Sequence, residues 1–150
     1  MVIRQTGFFE PEVVALLELH REDMVRHSPP GTAYVLDPQA LRMPDIEGFA
    51  AWDAKGLLAI GALRQHDGYA EIKSMRAHPR ARGTGAGKAI LHHLLDQARA
   101  RGNAAVRLET GSGPRFEAAI GLYRSFGFAA CDAFAGYRLT EFNRFYALEL

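Results

Sequence analysis

The sequence predicts an α/β fold in which helices are layered on a sheet, and two features of the chain indicate this class. Runs with apolar residues at every second position, typical of strands, alternate with segments whose apolar residues are three and four positions apart, typical of helices. A glycine-rich loop at residues 82–88 joins a strand-like run, residues 71–78, directly to one of the helical segments. Such alternation along one chain is typical of layered α/β domains.

The first elements are a short strand and a helix. Val2–Thr6 is rich in β-forming residues, and a helix begins near Pro11, because proline fits the first turn of a helix. The helical pattern continues to about His27 and ends at Ser28-Pro29-Pro30-Gly31, since proline cannot continue a helix. Residues 28–46 contain four prolines and predict a long loop, either a binding loop or a plain surface connection.

Three strands in series follow this loop. They are predicted at residues 49–53, 57–65 and 69–78, with tight turns at 54–56 and Asp67-Gly68 between them. Turns this short join neighbouring antiparallel strands. The three runs therefore predict an antiparallel unit ahead of the glycine-rich loop.

Helix and strand patterns continue to the end of the chain. The helix after the glycine-rich loop ends near Gly102 and has one apolar face, formed by Ile90, Leu91, Leu94, Leu95 and Ala98. The remaining predictions are a strand at 104–109, a helix at about 115–126, and two aromatic-rich strands at 128–138 and 142–150.

Composition indicates one globular domain over residues 1–150. The chain is 48% apolar and 23% charged, and its 18 basic and 17 acidic residues leave a net charge of +1. This balance gives no broad field for nucleic acid or an anionic membrane, so we expect neither as a partner. The single cysteine, Cys131, has no internal disulfide partner, and the N-terminus lacks the apolar core of a signal peptide, so we expect a cytoplasmic protein. The six histidines form no convincing metal-binding set.

The glycine-rich loop has the chemistry of an anion site. A helix start leaves backbone N–H groups unpaired, and glycines at 83, 85 and 87 let a phosphate approach them. A nucleoside-triphosphate loop would need a hydroxyl where Ala89 stands, and a dinucleotide loop would need G-x-G-x-x-G where the chain has G-x-G-x-G. Both of these ligands are therefore disfavoured, and a purely structural turn remains the alternative.

Two motifs together resemble the GNAT superfamily of N-acetyltransferases. The first is Arg82-x-x-Gly85-x-Gly87, which matches Q/R-x-x-G-x-G/A; the second is residues 119–128, which match A-x-x-L-Y-x-x-x-G-F. The resemblance covers roughly residues 69–130. It implies a three-layer fold with a mixed, mostly antiparallel sheet, splayed central strands and helices on both faces.

The resemblance also implies where acetyl-CoA binds. Main-chain groups of Met75, Arg76 and Ala77 would line the cleft between the splayed strands, and one N–H would bond the thioester carbonyl. The pyrophosphate would be held by Arg82, Gly83, Thr84, Gly85, Ala86, Gly87 and Lys88. Many members have asparagine where this chain has Phe116, so that contact with the pantetheine arm is not carried over.

The catalytic expectations concern a tyrosine and a glutamate. By resemblance Tyr123 is the general acid that protonates the leaving thiolate, while the alternative is a tyrosine packed at a helix edge. Several relatives have a glutamate base at the position of Glu71, and period-2 alternation places Glu71, Lys73 and Met75 on one face. A Glu71–Lys73 surface pair is the alternative, and Glu109 is a reserve base.

The expected reaction is direct acetyl transfer from acetyl-CoA to a primary amine of a small molecule or amino acid, in a ternary complex. Arg42, Arg76 and Arg138 are predicted to receive an acceptor carboxylate. The rival functions are a non-catalytic acyl-CoA sensor, a nucleotide-binding regulatory domain and an α/β domain with a structural loop. A homodimer through the C-terminal strands is compatible with the resemblance.

Overall fold

The computed structural model describes residues 1–34 and 36–150; Val35, in the predicted 28–46 loop, lies outside the described residues. Seven strands and four helices are found in the described part of the chain. In order they are β1 (Val2–Thr6), α1 (Pro11–His27), α2 (Pro38–Leu41), β2 (Ile46–Asp53), β3 (Gly56–Gln65), β4 (Tyr69–Ala77), α3 (Ala86–Ala100), β5 (Ala105–Thr110), α4 (Glu117–Ser125), β6 (Ala129–Ala130) and β7 (Arg144–Glu149). Short 3-10 turns at Pro79–Ala81 and Pro114–Phe116 precede α3 and α4.

One seven-stranded sheet forms the middle layer, in the order β1-β2-β3-β4-β5-β7-β6. β4 and β5 are parallel, and the other neighbouring strands are antiparallel. Helix α1 covers one face of this sheet, and α3 with α4 covers the other. The predicted fold class, a three-layer α/β arrangement with a mixed, mostly antiparallel sheet, is confirmed.

Each face of the sheet has its own core. On the α3 side the five predicted apolar residues of the helix are all buried, together with Leu63, Ile72 and Val106 of the sheet. On the α1 side Val13, Leu16 and Leu17 pack on strand residues that include Leu57 and Ile60. Burial of side chains of this size stabilises the fold by roughly 1.5–3 kcal/mol each, so both helices are held by packing.

The two central strands separate after a short paired stretch. Residues 69–71 of β4 pair with residues 105–107 of β5, but β4 continues to Ala77 and β5 to Thr110. Beyond the paired residues the strands diverge, and a cleft opens between them. The predicted splay is therefore confirmed.

A β-bulge in β4 lies beside this cleft. Ala62 of β3 is opposite Lys73 and Ile60 is opposite Arg76, so one residue of β3, Gly61, faces two residues of β4. Ser74, in the bulge, has a positive φ of 52°. The bulge shifts the alternation of side chains in the last part of β4.

Two predicted segments differ from the structure. Residues 128–138 were expected to form a strand, yet only Ala129 and Ala130 pair with β7, because the aromatic residues there pack as a cluster without period-2 spacing. The loop expected at residues 28–46 contains the short helix α2, and the strand that follows it, β2, begins at Ile46, three residues before its expected start at residue 49. Within the described residues, no helix has both the length and the apolar character needed to cross a bilayer.

Candidate active site

A cavity of about 220 Å³ fills the cleft between the diverging strands. Its walls come from α1 and the segment after it, from residues 71–76 of β4, from the end of β5, from α4 with the 3-10 turn before it, and from Tyr137 and Phe142. Of the predicted catalytic residues, Tyr123, Glu71 and the reserve Glu109 all line this cavity. The structure thus brings together residues that are up to 52 positions apart in the chain, from 71 to 123.

The glycine-rich loop lies at the end of β4, where the chain turns into α3. Gly83 and Gly85 have positive φ values of 77° and 85°, which other residues adopt at a cost. Gly85 is the N-cap of α3, and its backbone accepts the N–H of Ala89 at 2.9 Å. No side chain of the described residues caps this helix, so the N–H groups of its first turn remain available.

The space in front of this helix start is open. A Cβ added at Gly87 would meet nothing within 4 Å, so packing does not explain the glycine there. Arg82 and Lys88 are exposed beside it, whereas Arg80 is paired with Asp53 at 2.9 Å. Free N–H groups, open space and two available cations fit the pyrophosphate of a nucleotide-like group such as CoA.

Tyr123 is buried between α4 and the sheet, with 7% of its surface exposed. Its ring packs 5.8 Å from that of Phe128, and the residue lines the cavity. Burial raises the pKa of its phenol to about 12. At neutral pH the hydroxyl therefore retains its proton and can donate it to a group in the cavity.

Glu71 is the centre of a buried polar cluster. Its Oε1 is 2.9 Å from Nε2 of His66, and its Oε2 accepts the hydroxyl of Tyr137 at 2.5 Å. Lys73 Nζ donates to the same Tyr137 oxygen at 2.6 Å and lies 3.5 Å from Glu71 Oε2. Glu71 is 1% and Lys73 7% exposed, so the alternative of a surface pair is wrong. Burial lowers the pKa of Lys73, and the charge of Glu71 opposes that shift.

Glu109 is a second carboxyl group on the same cavity. It lies near the end of β5, where β4 no longer pairs with that strand. Burial raises the pKa of Glu109 to about 7, with Glu71 acting in the same direction and Asn143 and Lys73 in the opposite one. Near neutral pH this carboxyl group can therefore both take up and release a proton.

The bulge corrects one sequence expectation. Met75 was predicted to share a face with Glu71 and Lys73, but it packs against the α3 core with Ile72. Arg76 points to the opposite face, where Nη2 donates to Oδ2 of Asp23 at 2.5 Å. The extra residue in the bulge is the physical reason, because it inverts the alternation. Both Met75 and Arg76 line the cavity; Ala77 follows them at the end of β4.

The predicted acceptor arginines Arg42 and Arg138 lie away from this cavity. Arg42 donates to the backbone oxygen of Phe8 through Nε at 3.1 Å and Nη2 at 2.5 Å, and it stacks over Phe9. Arg138 is exposed, and its carbonyl accepts Nδ2 of Asn143 at 2.9 Å. The geometry therefore gives Arg42 a role in fixing the N-terminal segment.

Several residues in and beside the cavity are marked by no sequence pattern. Arg115 and His20 line the cavity, and Oδ2 of Asp23, on α1 beside it, accepts Nη2 of Arg115 at 2.7 Å. Burial lowers the pKa of His20 to about 4, so it is neutral at physiological pH. Asp23 sits in an amphipathic helix, where an acidic residue is ordinarily assigned to the solvent face, and no motif marked it.

Comparison with known proteins relates this chain to one family. The model of the family described as "Acetyltransferase (GNAT) family" matches residues 13–128. An uncharacterized N-acetyltransferase of Escherichia coli (strain K12), YedL, is 38% identical over 149 residues, covering 99% of this chain and 94% of YedL.

Solved structures give the same relation. A protein from Klebsiella pneumoniae subsp. pneumoniae MGH 78578, described as an acyl-CoA N-acyltransferase, has a TM-score of 0.79 at 27% identity, over 99% of this chain and 97% of that one. An aminoglycoside 6'-N-acetyltransferase complexed with coenzyme A shares the fold, with a TM-score of 0.74 at 14% identity and coverage of 99% and 97%.

Proposed function

Since the chain belongs to the GNAT acetyltransferase family, we propose that it transfers an acetyl group from acetyl-CoA to the primary amine of a small molecule, directly and in a ternary complex. The observation that carries this proposal is the cavity between β4 and β5, where a protonated buried phenol and two carboxyl groups face one space. An acid and a base on one cavity are what acyl transfer to an amine requires.

The loop from Arg82 to Lys88 would hold the pyrophosphate of acetyl-CoA. Its support is the uncapped start of α3, the open space at Gly87 and the exposed side chains of Arg82 and Lys88. Main-chain groups of residues 75–77, in and after the bulge, would line the thioester end. Beyond residues 69–71 this edge of β4 is not paired with β5, which leaves its backbone groups free for a ligand.

Glu71 acts as the general base in this proposal. An ammonium acceptor must lose a proton before its nitrogen can attack the thioester carbonyl. Its carboxyl group lies in a nearly dry position, where Oε2 accepts the hydroxyl of Tyr137 and Oε1 is 2.9 Å from Nε2 of His66. Glu71 lines the cavity beside Ile72 and Lys73, which places it on the same cleft as the acid.

Tyr123 acts as the general acid. When the bond between the carbonyl carbon and sulfur breaks, the leaving thiolate takes the phenolic proton. A phenol with a pKa of about 12 is protonated before the step, as an acid must be. Overall the ammonium loses two protons; one ends on the thiol and the other is released to solvent.

The first test is ligand binding. The melting temperature would be measured with acetyl-CoA, CoA, NAD and ATP. A native-state ligand at a hundredfold excess over its Kd adds about 2.7 kcal/mol, which corresponds to a rise of roughly 5–10 °C for a chain of this size. A rise with CoA species alone is expected, and the same melting temperature with and without them would contradict the proposal.

The second test is turnover: acetyl-CoA is mixed with each of a panel of amines, and the release of the CoA thiol is measured. Tyr123→Phe is expected to lower kcat by about 10²–10⁴-fold, the range for loss of general acid catalysis. Tyr146→Phe is the matched control, because Tyr146 is also buried but lies outside the cavity. If CoA raises the melting temperature but no amine in the panel causes thiol release from acetyl-CoA, the sensor function would be indicated instead.

A further inference from the structure

A cluster of one carboxylate, that of Asp23, and two guanidinium groups, those of Arg76 and Arg115, lies at the side of the cavity next to α1. Oδ2 of Asp23 accepts Nη2 of Arg76 at 2.5 Å and Nη2 of Arg115 at 2.7 Å. The side chain of Asp23 is 10% exposed and that of Arg76 13%. Asp23 comes from α1, Arg76 from β4 and Arg115 from the 3-10 turn before α4, and the two arginines line the cavity.

The cluster carries an excess positive charge. Two guanidinium groups are always protonated, and a single carboxylate neutralises one of them. His27, whose Nε2 is 4.0 Å from Oδ1 of Asp23, can only add positive charge. Positive groups that are partly withdrawn from water are stabilised by an anion, so this wall favours a negatively charged group in the cavity.

Arg115 is the member of the cluster that can receive such a group. Its side chain is 43% exposed and lines the cavity, whereas Arg76 is mostly enclosed. One Nη2–H is used on Asp23, while a guanidinium has five N–H donors. Its planar fork matches the two oxygens of a carboxylate.

The rest of the cavity has the complementary features of an amino acid. The carboxyl groups of Glu71 and Glu109 lie on β4 and β5, where their oxygens can accept hydrogen bonds from an ammonium. Tyr34, Phe116 and Phe142 give the cavity an aromatic wall. Carboxyl, guanidinium and aromatic groups therefore face one cavity, which is the pattern that an apolar α-amino acid would match.

We propose that the acceptor is a free α-amino acid with an apolar or aromatic side chain, and that Arg115 binds its carboxylate. This inference rests on the proposed function, since it concerns the acceptor of the same reaction. It replaces Arg42 and Arg138 as carboxylate receptors by a residue that lines the cavity.

The test compares acceptors that differ only in the carboxylate. Thiol release would be measured for phenylalanine, phenylalaninamide and phenethylamine, and for leucine, leucinamide and isopentylamine. For at least one of the two sets, kcat/KM for the amino acid is expected to be at least about tenfold above the values for its amide and its amine. The amide and the amine lack the carboxylate, and loss of one hydrogen bond between charged groups has an effect of this size. Equal values within both sets would overturn the inference while leaving the proposed function intact.

Arg115→Gln is the decisive variant, because its exposed side chain can be replaced without leaving a buried gap. It should remove the preference by lowering kcat/KM for the amino acid about tenfold or more. The kcat/KM for the amine should stay within about twofold of the wild-type value. Arg115→Lys should recover part of the loss, since it retains the charge but not the fork. Arg138→Gln, an exposed arginine away from the cavity, should change neither value. An equal loss for acid and amine in Arg115→Gln would show a structural role and overturn the inference.

Calorimetry distinguishes a failure of the proposed acetyl transfer from a failure of the proposed amino acid site. If no amine is acetylated, the proposed function fails, and titration of the wild type and Arg115→Gln with phenylalanine, leucine and their amines still reports on the site. Binding of an amino acid that depends on its carboxylate and on Arg115 would support the amino acid site. The absence of any such preference would overturn it.

Discussion

Glu109 is a carboxyl group whose burial makes the stability of the protein depend on pH. Its pKa of about 7 lies above the ordinary value of 4.5, so the folded protein favours the protonated form. The stabilisation from this proton is fully present below pH 4.5 and is lost as the pH rises through 7. A shift of this size corresponds to about 3 kcal/mol.

Glu109→Gln should therefore be more stable than the wild type at high pH. Because glutamine does not ionise, the variant is expected to gain up to about 3 kcal/mol over the wild type at pH 8.5 and almost nothing at pH 4.5. Urea unfolding at the two pH values measures this difference. Glu149→Gln, at the exposed end of β7, is the control and should show no comparable dependence. A Glu109→Gln difference that is the same at both pH values would contradict the assigned burial.

At the same scale, the sequence could identify only some members of the site. Tyr123 and Glu71 were found because Tyr123 lies in a family motif and Glu71 lies on the strand before the glycine-rich loop. Their partners could not be found in this way: Tyr137 contacts Glu71 across 66 positions, in a segment that was expected to be a strand. Contacts between distant segments depend on how the sheet brings β4 and the C-terminal region together. The spacing of residues within one segment does not predict this arrangement.

At the scale of the element, the glycines of the glycine-rich loop have different physical roles. Gly83 and Gly85 have left-handed backbone conformations, whereas Gly87 is in the first turn of α3 with no neighbour where a Cβ would lie. A substitution at Gly87 therefore separates the stability of the helix from the binding of a ligand at its start.

Gly87→Leu is expected to keep or raise the stability of the free protein, by up to about 1 kcal/mol, because leucine is a better helix former than glycine. The same side chain occupies the space through which a phosphate would approach, so the affinity for CoA should fall at least tenfold. Thermal shift and calorimetry with CoA measure both effects.

Gly121→Leu in α4 is the matched control, since a Cβ at Gly121 also meets nothing within 4 Å. It should gain similar stability while CoA affinity stays the same. Unchanged CoA affinity in Gly87→Leu would show that the start of α3 does not hold the pyrophosphate.

The elements also show where a sequence pattern stops being informative. The apolar face of α3 and the antiparallel series β2-β3-β4 were predicted, since periodicity and short turns record them directly. The bulge at Ser74 was not, because neither a glycine nor a proline marks it. As a result, period-2 alternation placed Met75 on the face of Glu71, whereas it lies on the other side.

At the scale of the whole molecule, Gly61 connects the bulge in β4 with the packing of α3. Gly61 faces the bulge in β4, and a Cβ there would be 2.8 Å from Ile90 Cγ2 and 2.9 Å from Leu94 Cδ1. The helix that starts at the glycine-rich loop is therefore seated on β3 at the point where the sheet is distorted. The glycine allows α3 and the sheet to come close together.

Gly61→Ala should destabilise the protein by about 1–3 kcal/mol through overpacking against α3. Leu94→Ala should cost about 2–5 kcal/mol through the cavity that it leaves. Because Leu94 Cδ1 is one of the two atoms that the new methyl group meets, the double variant should lose less than the sum of the two, by about 1 kcal/mol.

Urea unfolding of the four proteins in this cycle measures the coupling. Gly121→Ala with Leu94→Ala is the control cycle, since the methyl group at residue 121 has no neighbour to meet and the two changes should add. If Gly61→Ala and Leu94→Ala also add, α3 adjusts freely against the sheet. In that case the close approach of the helix to β3 does not fix the position of the loop at its start.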